Sequence, residues 1–158
     1  DYVIVDTPAA LTEIVLAAFD LAEHLFVMAT VDLPSVRNLG VFLQTLERLR
    51  VPADNVSLIL NKAERDVGLD VSQIVRLFPQ GFRSILPYAR EVSRSINVGM
   101  PVIASDPSAE VSRKLVSGLA AFFPQESGPQ VEGVPLVQTR GRFAQLVQRC
   151  LAFAGGAA

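Results

Sequence analysis

Three places in this sequence set a polar group at the end of a short apolar run, and those polar groups are where its chemistry would lie. The first is Asp1-Tyr2-Val3-Ile4-Val5-Asp6-Thr7-Pro8, where β-favouring apolar residues run into an aspartate and a Thr-Pro turn. A run apolar at every position suits a strand covered on both faces, as in a parallel α/β sheet. Pro8 stops such a strand, which leaves Asp6 at its carboxyl end, the edge where ligands of open α/β sheets bind. A carboxylate there commonly holds the magnesium of a bound nucleotide; the plainer alternative is a strand ending in a capping Asp with no ligand. The second place is Leu25-Phe26-Val27-Met28-Ala29, followed by the polar stretch from Thr30 to Asp32. The third is Val56-Ser57-Leu58-Ile59-Leu60, followed by Asn61-Lys62. If all three strands run parallel, their polar ends converge on one edge of one sheet.

The elements that must position these ends are legible between them. Leu11, Ile14, Val15, Ala18 and Ala22 recur at helical spacing and predict a helix over residues 11–19. Asp32 caps, and Pro34 opens, a longer helix over 34–50 with a stripe of Val36, Leu39, Leu43, Leu46 and Leu49. A short helix over 71–78 follows its cap Asp70, and residues 82–86 read as a fourth strand ending at Pro87-Tyr88. A helix over 91–98 stops at Gly99, with Pro101 just beyond. Pro107, behind Asp106, opens a last helix carrying Val111, Leu115, Leu119 and Phe122. Strand and helix alternate throughout, which predicts an α/β fold with a parallel sheet and helices on both faces.

Bulk properties narrow the class. The 158 residues carry a net charge of −2 and are half apolar, room for one domain and a tail, and no nucleic-acid partner is expected. A single cysteine, Cys150, cannot pair within the chain and favours a reducing, cytoplasmic setting. With only one histidine in the chain, Cys150 reads as an apolar-face residue rather than a nucleophile, and no Cys/His spacing suggests zinc. His24, at the amino edge of the sheet, reads as an exposed connector residue. The opening on Asp in mid-pattern reads as a fragment.

Together these landmarks resemble the MinD/ParA class of P-loop ATPases, nearest the CpaE/TadZ branch associated with pilus assembly and polar localisation. The residues that carry the resemblance are 1–8, then Ala29-Thr30-Val31-Asp32-Leu33-Pro34-Ser35-Val36-Arg37-Asn38, Leu58-Ile59-Leu60-Asn61-Lys62, and Leu86-Pro87-Tyr88 through Gly99-Met100-Pro101-Val102. The resemblance implies an incomplete P-loop NTPase domain over residues 1–123, binding ATP at a homodimer interface. It implies Asp6 as the catalytic carboxylate, acting on Mg2+ through water. Thr7, Asn61, Lys62, Pro87 and Tyr88 would complete the nucleotide contacts, with Asn61 reading the adenine edge and the backbone at Pro87 and Tyr88 lining the base pocket. Ser35–Arg37 would lie near the partner subunit, and the partners implied are pilus or division machinery.

One departure bears on activity. The lysine-bearing, glycine-rich phosphate loop that defines the class does not occur in these 158 residues, so little hydrolysis is expected of them. Ala9-Ala10 also stands where relatives carry a second proline or a glycine. A non-hydrolysing localisation scaffold of the same fold is the alternative. Asn61-Lys62-Ala63-Glu64 also resembles the guanine-reading motif of GTPases, but with Glu64 for Asp and Ala9 for the companion glycine that reading is the weaker one.

Residues 124–139 hold three prolines and two glycines without a sustained period and read as a linker. In residues 140–154, Phe143, Leu146, Val147, Cys150, Leu151 and Ala154 fall on one helical face, with Arg142, Gln145 and Arg149 opposite. From Val134 onward there are three arginines and no acidic residue. A basic amphipathic helix on a tether predicts a peripheral anchor on the inner membrane surface, and it is similar to the carboxyl-terminal targeting helix of MinD-type proteins. The alternative is a helix that folds back on the domain.

Overall fold

A computed structural model describes residues 2–64 and 69–122. The chain divides into two compact units, Asp1–Asn61 with Arg65–Arg83, and Lys62–Glu64 with Ser84–Ala158. The three strands are β1 (Leu25–Thr30), β2 (Val56–Ala63) and β3 (Ser84–Pro87), ordered β1-β2-β3 in one sheet. β1 and β2 are parallel and in register from Leu25 opposite Val56 to Thr30 opposite Asn61. With helices on both faces, the α/β class expected from the sequence is the one observed.

In the first unit, α1 (Glu13–Leu21), α2 (Leu33–Arg48) and α3 (Val71–Leu77) accompany β1 and β2. Local chemistry sets each start. Thr12 accepts from the Val15 N–H, Asp32 from the Ser35 N–H and Asp70 from the Ser72 N–H, each satisfying an amide that the helix itself leaves unpaired. Val15, Ala29, Val36, Leu39, Leu46, Ile74 and Phe78 form its core with Leu58, Ile59 and Leu60, three consecutive buried residues of the central strand. Phe19 of α1 meets Phe42 of α2 edge to face at 6.2 Å.

In the second unit, α4 (Arg90–Val98), α5 (Val102–Ser105) and α6 (Glu110–Leu119) accompany β3. Leu86 and Val111 are buried, and the buried Ser84 donates to the Lys114 carbonyl at 3.1 Å, tying β3 to α6. Ser112, also buried, donates to the Asp106 carbonyl at 2.7 Å and fixes the turn that precedes α6. Gly99 closes α4 in the left-handed conformation, φ 71°, as its place in the sequence predicts.

Several expectations need correction. Residues 2–7 form no strand, and Val3 is 89% exposed. A strand exists only through a partner's hydrogen bonds, and no described strand pairs with this segment, so its β-favouring residues alone do not order it. Full burial on both faces holds for β2 but not for β1, where Phe26 and Met28, on one face, are exposed. β2 runs to Ala63, one residue past the expected end at Asn61-Lys62, and β3 ends at Pro87 as expected but starts at Ser84 instead of residue 82. The last helix begins at Glu110, because the turn at 106–109 is bonded to the Asp106 side chain: its carboxylate accepts from the Ser108 hydroxyl and the Ala109 N–H. The helix at Val102–Ser105 was not anticipated. The linker and the 140–154 helix, with Phe143, Leu146, Val147, Leu151, Arg142 and Arg149, lie outside the described residues.

Candidate functional site

The carboxyl end of the β1–β2 pair is built from Thr30, Asp32, Ser35 and Asn61. Thr30 is the last residue of β1 and stands in register with Asn61 on β2. The chain then turns into α2 through a reciprocal lock. The Ser35 N–H donates to Asp32 Oδ1 at 2.8 Å, and the Thr30 hydroxyl donates to Asp32 Oδ2. In return, the Thr30 N–H donates to Ser35 Oγ at 2.9 Å. Each of the three residues thereby fixes the other two. The Thr30 hydroxyl, then the Ser35 amide, holds the Asp32 carboxyl below its usual value. The sequence signals Asp32 as a cap, but the return bond from Ser35 was missed; a serine three residues after a capping aspartate is its only trace.

Asn61 is half-buried at this edge, with an amide that offers both a donor and an acceptor. Lys62, next in β2, has φ 54°, a left-handed backbone that a side-chain-bearing residue adopts at a cost of about 1–2 kcal/mol. In the second unit, the Tyr88 N–H donates to the Ala63 carbonyl at 3.1 Å, which sets Pro87 and Tyr88 beside the end of β2. Tyr88 is exposed and Pro87 half-buried.

Asp6 and Thr7 are exposed and stand in no strand. Asn61 lies in the first unit, whereas Lys62, Pro87 and Tyr88 lie in the second, and Asp6 and Thr7 stand outside the sheet. No group of three or more His, Cys, Asp or Glu able to hold a metal occurs among the described residues.

Comparison with solved structures decides the fold. The chain superposes on MinD in the MinC:MinD cell division complex of Aquifex aeolicus with TM-score 0.66, 22% identity, 87% of this chain and 55% of that one. The fold is that of MinD. MinD from Pyrococcus horikoshii, complexed with Mg-ADP, matches with TM-score 0.64, 13% identity, 74% of this chain and 48% of that one. A ParA family ATPase from Chlorobium tepidum matches with TM-score 0.59, 19% identity, 68% of this chain and 45% of that one. The chain thus spans about half the length of the MinD-like structures it matches. No family model and no curated protein matches it.

Proposed function

We propose that this MinD-like fold serves an ATP-dependent, dimerising switch ATPase of the MinD/ParA/CpaE type, positioning pilus or division machinery at a cell pole or septum. The observation that supports the reading is the register of Thr30 with Asn61, which stands Asn61 near the carboxyl end of two parallel strands. Asn61 would hold the adenine edge, with Lys62, Pro87 and Tyr88 around the base. Asp6 would hold the magnesium through water and Thr7 would stand beside it. Bound magnesium would neutralise charge on the phosphates, while these side chains would bind and orient the nucleotide. The Mg-ADP bound by Pyrococcus horikoshii MinD supports the choice of nucleotide.

A shallow groove along the first turns of α2, lined by Leu33, Pro34, Arg37, Asn38 and Val41, supports the partner-subunit role given to Ser35–Arg37. Leu33 and Val41 are exposed apolar residues there, as at surfaces that later become covered. A cytoplasmic setting with peripheral membrane contact through residues 140–154 belongs to the same proposal; no helix among the described residues is long and apolar enough to cross a membrane. A non-hydrolysing scaffold is the second reading, favoured by Asp6 standing outside the sheet.

Photolabelling with an azido-adenine nucleotide tests the site. Label is expected in the peptides holding Asn61 and Tyr88, displaced by ATP in preference to GTP and reduced in Asn61→Ala. Equal competition by GTP would sink the adenine assignment. In a chain that also carries the phosphate loop, hydrolysis that vanishes in Asp6→Ala supports the switch, whereas labelling without any magnesium-dependent hydrolysis supports the scaffold.

A further inference from the structure

α1 and α2 both belong to the first unit, where Phe19 meets Phe42, and each keeps an outward face that the unit leaves uncovered. On α1, Ile14 and Leu21 lie on one stripe about 10.5 Å apart and are 82% and 86% exposed. Ala17, also exposed, stands midway between them, and the exposed Glu13 and Asp20 run beside the stripe. On α2, Leu33 and Val41 lie about 12 Å apart and are 66% and 57% exposed. Arg37 stands midway between these two, in the same groove, and is exposed. One face is therefore apolar, small at its centre and acidic along its margin; the other is apolar with a cation at its centre. Among the described residues, Glu13, Asp20 and Arg37 have no ion-pair partner within the chain.

We infer that these faces are the two halves of a contact between copies of this chain, α1 of one copy against α2 of the other. The apolar spacings agree to about 1.5 Å, so Ile14 and Leu21 of one copy cover Leu33 and Val41 of the other. The small Ala17 then leaves room for Arg37, whose guanidinium reaches the carboxylates of Glu13 and Asp20 across the contact. Like-on-like pairings are the poorer choice. α1 on α1 sets carboxylate against carboxylate, and α2 on α2 sets guanidinium against guanidinium; only the crossed pairing brings opposite charges together. Because both helices belong to one unit, a two-fold axis between them makes the contact twice and closes the assembly at a dimer. Two helical turns a side make a small interface, so the association is weak and depends on concentration. The inference rests on the dimerising part of the proposed function and needs no nucleotide.

Sedimentation equilibrium of the full chain without nucleotide tests the contact. A concentration-dependent dimer is expected, weakened as NaCl rises from about 0.05 to 0.5 M. Arg37→Glu should weaken dimerisation about tenfold or more, and so should Glu13→Arg with Asp20→Arg. Mixing the two variants should restore it, because both contacts of the mixed dimer again pair opposite charges. A monomer at every concentration overturns the inference, as does a dimer that either variant forms as well as the unmodified chain. A mixture of the variants that stays monomeric, with both folded by circular dichroism, overturns it too. Should the variants fail to fold, salt carries the test, and a dimer indifferent to NaCl sinks the crossed pairing. Azido-adenine labelling keeps the two readings apart: a charge-dependent dimer without labelling supports the contact and sinks the adenine site, whereas labelling of a chain that stays monomeric does the reverse.

Discussion

Thr30 and Asn61 stand opposite each other as the last partners in the parallel register of β1 and β2. A one-residue slip of β2 would turn Asn61 to the opposite face from Thr30, so the register itself decides what the carboxyl edge presents. Buried Leu58, Ile59 and Leu60 hold that register from behind, while the Thr30–Asp32–Ser35 lock holds it from the front.

Ser35→Ala removes one arm of the lock. The Thr30 N–H loses its acceptor, and a partly buried hydrogen bond of this kind contributes about 0.5–1.5 kcal/mol. Chemical denaturation should show a loss of that size. If Thr30 orders the base end of the site, azido-adenine labelling of the Asn61 peptide should fall as well. Unchanged labelling would confine the lock to stability.

Leu60 is the centre of the first unit's core, with none of its surface exposed. Leu60→Ala should cost about 2–5 kcal/mol, the sum of lost burial and the cavity left behind. Against a stability of about 5–15 kcal/mol for an ordinary domain, a large fraction of molecules should unfold at moderate urea. A midpoint within experimental error of the unmodified chain would mean the core lies elsewhere.

Two glycines should answer the same substitution with opposite signs. Gly40 lies inside α2, and a Cβ there meets nothing within 4 Å. Gly40→Ala should stabilise by about 0.5–1 kcal/mol through helix propensity alone. Gly99 also has open space around it, but its φ of 71° is left-handed. Gly99→Ala should destabilise by about 1–2 kcal/mol for a purely conformational reason. Thermal unfolding of the pair separates backbone from packing effects; a shift in the same direction for both would refute the account.

The helices and their starts were legible because caps are local: Asp32, Asp70 and Gly99 act on amides and carbonyls a few residues away. β1 and β2 were legible for a similar reason, since each is a continuous apolar run. Residues 2–5 have as strong a run, yet they form no strand, because pairing is a property of two segments and the composition of one does not state it. The same limit applies to the site. Asn61 could be picked out as a strand-end amide, but its half-burial and the left-handed Lys62 beside it come from the extension of β2 to Ala63, which no local signal marks. His24 was misjudged in the same way. It follows a helix and precedes a strand, as a connector does, but the start of β2 supplies a partner thirty-three residues on.

The sole histidine makes the stability of the fold depend on pH. His24 Nε2 lies 2.9 Å from Ser57 Oγ, and its ring tilts against Phe26 at 4.9 Å. Desolvation, then the Arg83 charge, lowers its pKa below the ordinary 6.5. The unfolded chain therefore takes up the proton first as pH falls. The stabilising contribution is complete above pH 6.5 and is lost as pH drops through the lower folded value. Asp32 and Asp70 are also lowered, but from 3.8, so they add nothing to the slope between about pH 5 and 7. The urea midpoint should fall from pH 7.5 to pH 5, and the step should vanish in His24→Gln. An equal fall in His24→Gln would show that the slope belongs to other groups.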